Sequence, residues 1–372
     1  MTRQNHGAAF THEQVRIHTG SRSGLPVIVA VHSTALGQAI GGCRIASYPQ
    51  WQDALADALR LSAAMTQKTA VAGLPNGGGK TVVALPPGRT FDRRPGQHAA
   101  PPLEPAFDRR AVLHDVADVI ASLDGAYATG PDVGTDPDDM ATIAERTPWV
   151  FCRPPEAGGS GDSSTHTAAG VMAALGALCA EAFGSPRLGG RRFAIVGLGR
   201  VGAQVARHLA AAGAELVVAD VDHTKQRLAG ELGAAWLDPD GALCAAVDVL
   251  VPAALGGVFT AETVPLLRCA AIAGPANNQL DEPATADLLH KRGILWAPDF
   301  VVSAGGVIYA TAVELHHETT DQAADRVTRI GDTVARVLAA ARETGTTPAA
   351  VAQDLATRRV AGAVAPTSTP SR

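Results

Sequence analysis

Lys80 directly follows three glycines, Gly77 to Gly79, in the run GLPNGGGKTVVAL. Lys68 lies a short way upstream, and Asp132 sits in TGPDVGT. Two lysines and an aspartate suit proton transfer on a small charged substrate. A lysine held out of water can serve as a base. Each residue alone has an ordinary explanation: most lysines are solvated, and an aspartate in a Gly/Pro turn usually caps that turn. The glycines imply either positive φ or close approach of the backbone to a neighbour. A phosphate-binding loop is excluded. Its pattern needs glycine at position 74, where Leu74 stands, and a helix after the lysine, where Val82 to Leu85 read as a strand.

A second constellation is Gly197, Gly199 and Gly202 in GLGRVG. These glycines follow the strand-like FAIV and open a helical segment, and Asp220 ends the next apolar run, 18 residues after Gly202. Strand, glycine turn, helix, strand and acid together describe a dinucleotide site. The glycines serve a tight turn, close approach to a pyrophosphate and helix packing, and the helix start offers free N–H groups to phosphate. Asp220 can accept from ribose hydroxyls and repels a 2′-phosphate, so NAD is expected over NADP. Lys225 and Arg227 follow closely and weaken that preference. The alternative is a strand–helix turn that uses glycine for packing alone.

The elements that must position these residues are legible from periodicity. Trp51 to Gln67 is helical, with Leu55, Leu59, Ser62 and Met65/Thr66 in line. GAYATG reads as a strand leading to Asp132. RAVLHDVADVIASL is a helix, and Asp136 to Asp139 reads as a helix cap and solvated face. Pro86 to Pro105 reads as a surface loop and Gly158 to Asp162 as a hinge, followed by a helix from about Thr167 to Phe183. From Arg191 onward the pattern alternates strand and helix, and Arg326 to Arg342 is a long amphipathic helix.

The chain has 372 residues, 46% hydrophobic and 18% charged, with net charge −5. That length favours two domains. No basic excess points to nucleic acid. The apolar runs fall short of the ~20 residues of a membrane span, and MTRQNHGAAF lacks a signal segment. Cys43, Cys152, Cys179, Cys244 and Cys269 show no CxxC spacing and read as reduced thiols in a cytoplasmic protein without a metal site. The expected fold is α/β in two domains. Residues 1–150 form the first domain, with 325–360 packing back on it. Residues 151–324 form a Rossmann-like NAD domain, and 361–372 a disordered tail.

The segments GGCR, DALADALRLSAAMTQK, GLPNGGGK, TGPDVGT, GLGRVG, GPANNQL and GILWAPDFVVSAGGV, in this order, resemble the glutamate/leucine/phenylalanine/valine dehydrogenase family over about Gln14 to Arg359. The resemblance implies reversible, NAD-dependent oxidative deamination of an L-amino acid to a 2-oxo acid and ammonia by a homo-oligomer, with residues 1–150 as the substrate-binding and oligomerisation domain. It implies that Lys68 pairs with the substrate carboxylate, Lys80 activates the attacking water, and Asp132 shuttles protons at the amino group. Gly41 and Gly42 would bring backbone close to the substrate. Thr167, Asn277 and Asn278 would hold the nicotinamide half of the cofactor. Arg200, Val201, Ala253 and Ala276 would join Gly197, Gly199, Gly202 and Asp220 in the cofactor set.

By the same resemblance Ile40, Gly130, Val307 and Ala310 line the side-chain pocket. Glycine at 130, where leucine-type relatives tend to carry alanine, and the small Ala310 imply a large pocket. The flanking text is most similar to the phenylalanine branch, so a large apolar or aromatic side chain is expected. Leucine or valine, or a specialised amino acid of secondary metabolism, is the alternative. Two departures stand out: Ser303 replaces the family asparagine near the substrate amine, and Tyr309 replaces a smaller polar residue. Two further classes remain, a non-catalytic NAD-binding protein and a hydroxy-acid dehydrogenase. The second usually needs a histidine base near an arginine, which these motifs lack.

Overall fold

The computed structural model describes residues 11–89, 107–254 and 256–364. Residues 1–10, the expected loop from 90 onward and the expected tail from 365 onward lie outside the described residues. Two compact units are present. One holds residues up to Ala70 with Pro75–Gly159 and the chain from Gly362; the other holds Val71–Leu74 and Ser160–Ala361.

The first unit contains β1 (Gln14–Thr19), β2 (Pro26–Ser33), β3 (Ala39–Ser47), α1 (Trp51–Val71), β4 (Gly77–Leu85), α2 (Arg109–Ala121), β5 (Tyr127–Pro131) and α3 (Pro137–Ala144). The sheet order is β1-β2-β4-β3-β5. β2 is antiparallel to β1 and β4, while β3 runs parallel to β4 and β5. Strands β2 and β4 are buried on both faces, at odd and even positions alike, while the edge strand β1 is largely exposed. Val27, Val29, Val31, Cys43, Ile45 and Val83 pack with the apolar residues of α2. Ile28, Ala30, Val82 and Ala84 pack with Ala54 and Ala58 of α1. The two-residue period therefore puts Gly42, Arg44, Gly78 and Lys80 on the α1 face.

The glycine run is a packing device. None of its three residues has positive φ. A Cβ on Gly77 would stand 1.8 Å from the Ser33 carbonyl oxygen, one on Gly78 would stand 2.1 Å from the Thr66 nitrogen of α1, and one on Gly79 would stand 2.5 Å from the Tyr127 ring. Helix α1, which carries Lys68, thereby lies directly on β4, which carries Lys80. Asp136 caps α3 in a capping box with Asp139, as the sequence implies. Asp139 itself is not solvated: it is buried, and the Arg109 guanidinium holds it.

The second unit contains α4 (Ser164–Phe183), β6 (Arg192–Val196), α5 (Arg200–Ala211), β7 (Glu215–Ala219), α6 (Gln226–Glu231), β8 (Ala235–Trp236), α7 (Pro239–Leu243), β9 (Val247–Pro252) and β10 (Cys269–Ile272). It continues with α8 (Thr285–Lys291), β11 (Leu295–Trp296), α9 (Asp299–Val302), α10 (Gly305–Glu314), α11 (Thr320–Thr328), α12 (Ile330–Thr344) and α13 (Pro348–Val364). Its six strands are parallel in the order β11-β10-β9-β6-β7-β8. This is the doubly wound dinucleotide arrangement, with its switch point between β6 and β9.

Two sequence expectations differ here. Residues 325–360, expected against the first domain, cluster with the second unit, because the apolar face of α12 meets α4: a Cβ on Gly170 would stand 2.6 Å from the Ile330 side chain. Helix α4 is also long and apolar enough to cross a membrane by length and composition. Its alanine-rich sequence suits the helix-covered position it takes beside α5, α10, α11 and α12.

Candidate active site

In the first unit, β4 and β5 bring the sequence-predicted pair together. The Lys80 Nζ donates to Asp132 Oδ2 at 2.7 Å, with only 6% of the lysine side chain exposed. The turn after β5 fixes the aspartate. Its N–H donates to Thr135 Oγ1, whose hydroxyl donates to the Cys43 carbonyl, and Ile45 N–H donates to the Val133 carbonyl. A third group joins the pair that the sequence reading quoted only within GGCR: Arg44 Nε donates to the same Asp132 oxygen at 2.9 Å. Burial pushes the Asp132 carboxyl up, but the charges and hydrogen bonds of Lys80 and Arg44 more than reverse this and hold it down at about 2. Burial pushes the neighbouring Cys43 thiol up to about 12, so it is no thiolate nucleophile.

The backbone around this pair is crowded. A Cβ on Gly41 would stand 1.8 Å from the Gly79 carbonyl oxygen. Ile40 is fully buried. Lys68 lies partly buried in the last turn of α1. At Gly130 the structure changes the expected picture: a Cβ there would stand 2.5 Å from the ring of Phe151. The space that glycine releases is filled by that buried ring, so it adds no room to a pocket. The register of Thr129 with residues 149–151 brings Phe151 to Gly130.

In the second unit, the glycine loop joins β6 to α5 at the switch point. Gly197 has φ +108° and lies against Ala253, whose N–H donates to the Val196 carbonyl; a Cβ on Gly202 would stand 2.0 Å from the Gly197 carbonyl oxygen. A Cβ on Gly199 would meet no protein atom within 4 Å. Its open side is what a pyrophosphate needs, so the loop fits the dinucleotide. The carboxylate of Asp220 accepts from Leu198 N–H at 2.6 Å and Asp222 N–H at 2.9 Å, which ties the end of β7 to the loop. Beside it lies a cavity of about 450 Å³ lined by Leu198, Arg207, Thr224, Lys225 and Arg227 among others. The two cations singled out after Asp220 thus border this site. Arg200 is exposed and faces Asp162, and Val201 is partly buried.

The later strands bring further predicted residues together. Ser303 Oγ donates to Asn277 Oδ1 at 3.1 Å, which ties the serine to the loop after β10. Ala276 N–H donates to the Pro252 carbonyl, and Asn278 takes positive φ. Buried Gln279, which sequence reasoning passed over, pins this loop: its amide donates to the Gly274 and Ala276 carbonyls and accepts from Trp296. Thr167 lies in the first turns of α4 against Gly306. On α10, Val307 is partly buried and Ala310 buried. Tyr309 stacks on His166, ring centroids 3.2 Å apart, and burial pushes His166 below its ordinary range.

Comparison with known proteins matches residues 7–149 to the Glu/Leu/Phe/Val dehydrogenase dimerisation domain and residues 221–366 to the glutamate/leucine/phenylalanine/valine dehydrogenase domain. The chain belongs to the Glu/Leu/Phe/Val dehydrogenase family. It is an amino-acid dehydrogenase, an oxidoreductase acting on CH–NH2 donors, and NAD is its cofactor. It is 38% identical to a leucine dehydrogenase of Bacillus cereus over 353 residues, covering 95% of this chain and 92% of the relative. It is 40% identical to a valine dehydrogenase of Streptomyces albus over 356 residues, covering 95% and 93%. Among solved structures it is similar to L-tryptophan dehydrogenase from Nostoc punctiforme, with TM-score 0.78, 34% identity and coverage of 95% and 97%. The family expected from the motifs is the family found. The phenylalanine branch gains no support from these relatives.

Proposed function

We propose that this dehydrogenase oxidatively deaminates an L-amino acid with a branched aliphatic side chain, leucine or valine, to the 2-oxo acid and ammonia. The leucine and valine dehydrogenases among its relatives support that choice. So does Phe151, which closes the space at Gly130 on which the larger-pocket expectation rested. Bound NAD supplies the hydride acceptor.

The protein's own part follows from the first unit. The observation that carries it is the 2.7 Å contact between Lys80 and Asp132. Asp132, ionised at neutral pH, receives the substrate ammonium and takes its proton. Lys80 positions and activates the water that attacks the iminium carbon. Lys68 pairs with the substrate carboxylate. In the first unit Ile40 borders the substrate side chain, while Gly41 and Gly42 admit the substrate to the backbone. Thr167, Asn277 and Asn278 hold the nicotinamide half of the cofactor. The match to a dimerisation domain supports a homo-oligomer.

The test is NAD reduction by the purified protein across a panel of L-amino acids, with NADP as control. Preference for leucine or valine supports the proposal, and preference for phenylalanine or tryptophan overturns the side-chain assignment. The similarity to a tryptophan dehydrogenase structure favours that aromatic reading as the second one. Full activity in Asp132→Asn or Lys80→Met would remove the proposed mechanism.

A further inference from the structure

Both cations at Asp132 meet the same oxygen, Oδ2, and Oδ1 takes part in neither contact. The Arg44 guanidinium is itself held from behind. Its Nη1 donates to Asp57 Oδ2 at 2.8 Å, Tyr48 Oη donates to that same oxygen at 2.8 Å, and Arg60 donates to Asp57 Oδ1 at 2.6 Å. Arg44 therefore bridges two carboxylates, one on α1 and one after β5, through different nitrogens of one planar group. A lysine has a single nitrogen and cannot do both. The whole chain Tyr48–Asp57–Arg44–Asp132 lies within the first unit, on the face of the sheet that carries Lys80.

We infer that Arg44 is a positioning residue for the deamination: with Asp57 behind it, it fixes the Asp132 carboxylate so that Oδ2 serves Lys80 and Oδ1 is presented to the substrate amine. This rests on the proposed role of Asp132. Without Arg44 the carboxylate has one partner in place of two and can rotate about its Cβ–Cγ bond, exchanging its oxygens. The charge balance would also change. The groups facing Asp132 are Lys80 from β4 and Arg44 from β3. Asp57 and Tyr48 stand behind Arg44, and the buried Cys43 and Tyr127 are neutral because burial pushes both up. Among the described residues, loss of Arg44 leaves Lys80 as the one cation in contact with the carboxylate, and protonation of Asp132 then begins at higher pH.

The experiment compares Arg44→Lys, Arg44→Met, Asp57→Asn and Asp132→Asn by steady-state kinetics against pH, on the best amino acid of the panel, with melting curves alongside. Arg44→Met should lower kcat by roughly 10- to 100-fold and move the acid limb of kcat/KM up by about one pH unit, with KM for NAD unchanged. Arg44→Lys should recover the acid limb but not kcat, because charge returns without the bridge. Asp57→Asn should lower kcat in the same direction by less. The proposal is overturned if Arg44→Met keeps kcat and its pH profile while Asp132→Asn is inactive. It is equally overturned if Arg44→Met loses kcat only in proportion to folded protein, with the acid limb unmoved. Activity in Asp132→Asn would sink the underlying mechanism as well, which separates the two failures.

Discussion

Gly42 lies directly beneath the Asp132 side chain: a Cβ at position 42 would stand 2.7 Å from the Asp132 Cβ and 3.2 Å from Lys80 Nζ. The ion pair is thus seated on bare backbone. Gly42→Ala should push the two apart, lowering kcat by at least ~10-fold and stability by about 1–3 kcal/mol. Urea denaturation and NAD reduction measured on the same preparation check both effects. Unchanged kinetics would mean the pair tolerates displacement.

Gly130 and Phe151 should behave as a coupled pair. Gly130→Ala alone forces a methyl into the Phe151 ring and should cost about 1–3 kcal/mol. Phe151→Leu alone opens space and should cost a similar amount. Together the two should cost less than the sum, by at least ~0.5 kcal/mol, in a double-mutant cycle. If Phe151 bounds the pocket, Phe151→Leu should also raise kcat/KM for phenylalanine relative to leucine. Additive costs and unchanged selectivity would refute the pairing.

The Asp132 carboxyl is held at about 2 in the folded chain against 3.8 for the free side chain. A depressed carboxyl favours folding above its unfolded value, and that contribution is lost as pH falls from near 4 toward 2. Its size is at most about 2 kcal/mol at neutral pH. The stability gap between wild type and Asp132→Asn should therefore narrow as pH falls through that window. A gap that stays constant would show that the aspartate's charge contributes nothing to folding.

Asp220 should set cofactor choice in two ways. Its carboxylate repels a 2′-phosphate, and it holds the Leu198 and Asp222 amides. Asp220→Ser should raise KM for NAD by roughly 10-fold. With Arg207, Lys225 and Arg227 lining the adjacent cavity, the same change should improve kcat/KM for NADP. Loss of NAD affinity with no gain for NADP would leave only the structural role.

Local pattern revealed a good part of this molecule. The strand after Lys80, the turn at Asp132, and the strand–glycine–helix unit with Asp220 all depend on neighbours within a few tens of residues. What stayed hidden depends on side-chain pairings that only the folded register of the elements creates. Arg44 meets Asp132 only because β3 and β5 pair in register. Phe151 reaches Gly130 across a single bridge. Tyr309, noted as a departure, stacks on His166 because α4 and α10 pack together. Single-position patterns carry no record of such pairings. The apolar length of α4 likewise resembles a membrane span until its helical neighbours are seen.

The three bare positions before Lys80 have a consequence for anyone scanning this chain by saturation mutagenesis. Positions 77, 78 and 79 should appear as a solid block of intolerance next to Lys80, the profile commonly taken to mark a ligand loop. Here each position fails for a different reason: a strand-end carbonyl, a helix backbone and a buried phenol ring. A compensating change at Tyr127 could rescue only the third. A fitness map would thus separate one repairable position from two fixed by main-chain atoms, although the sequence writes all three with the same letter.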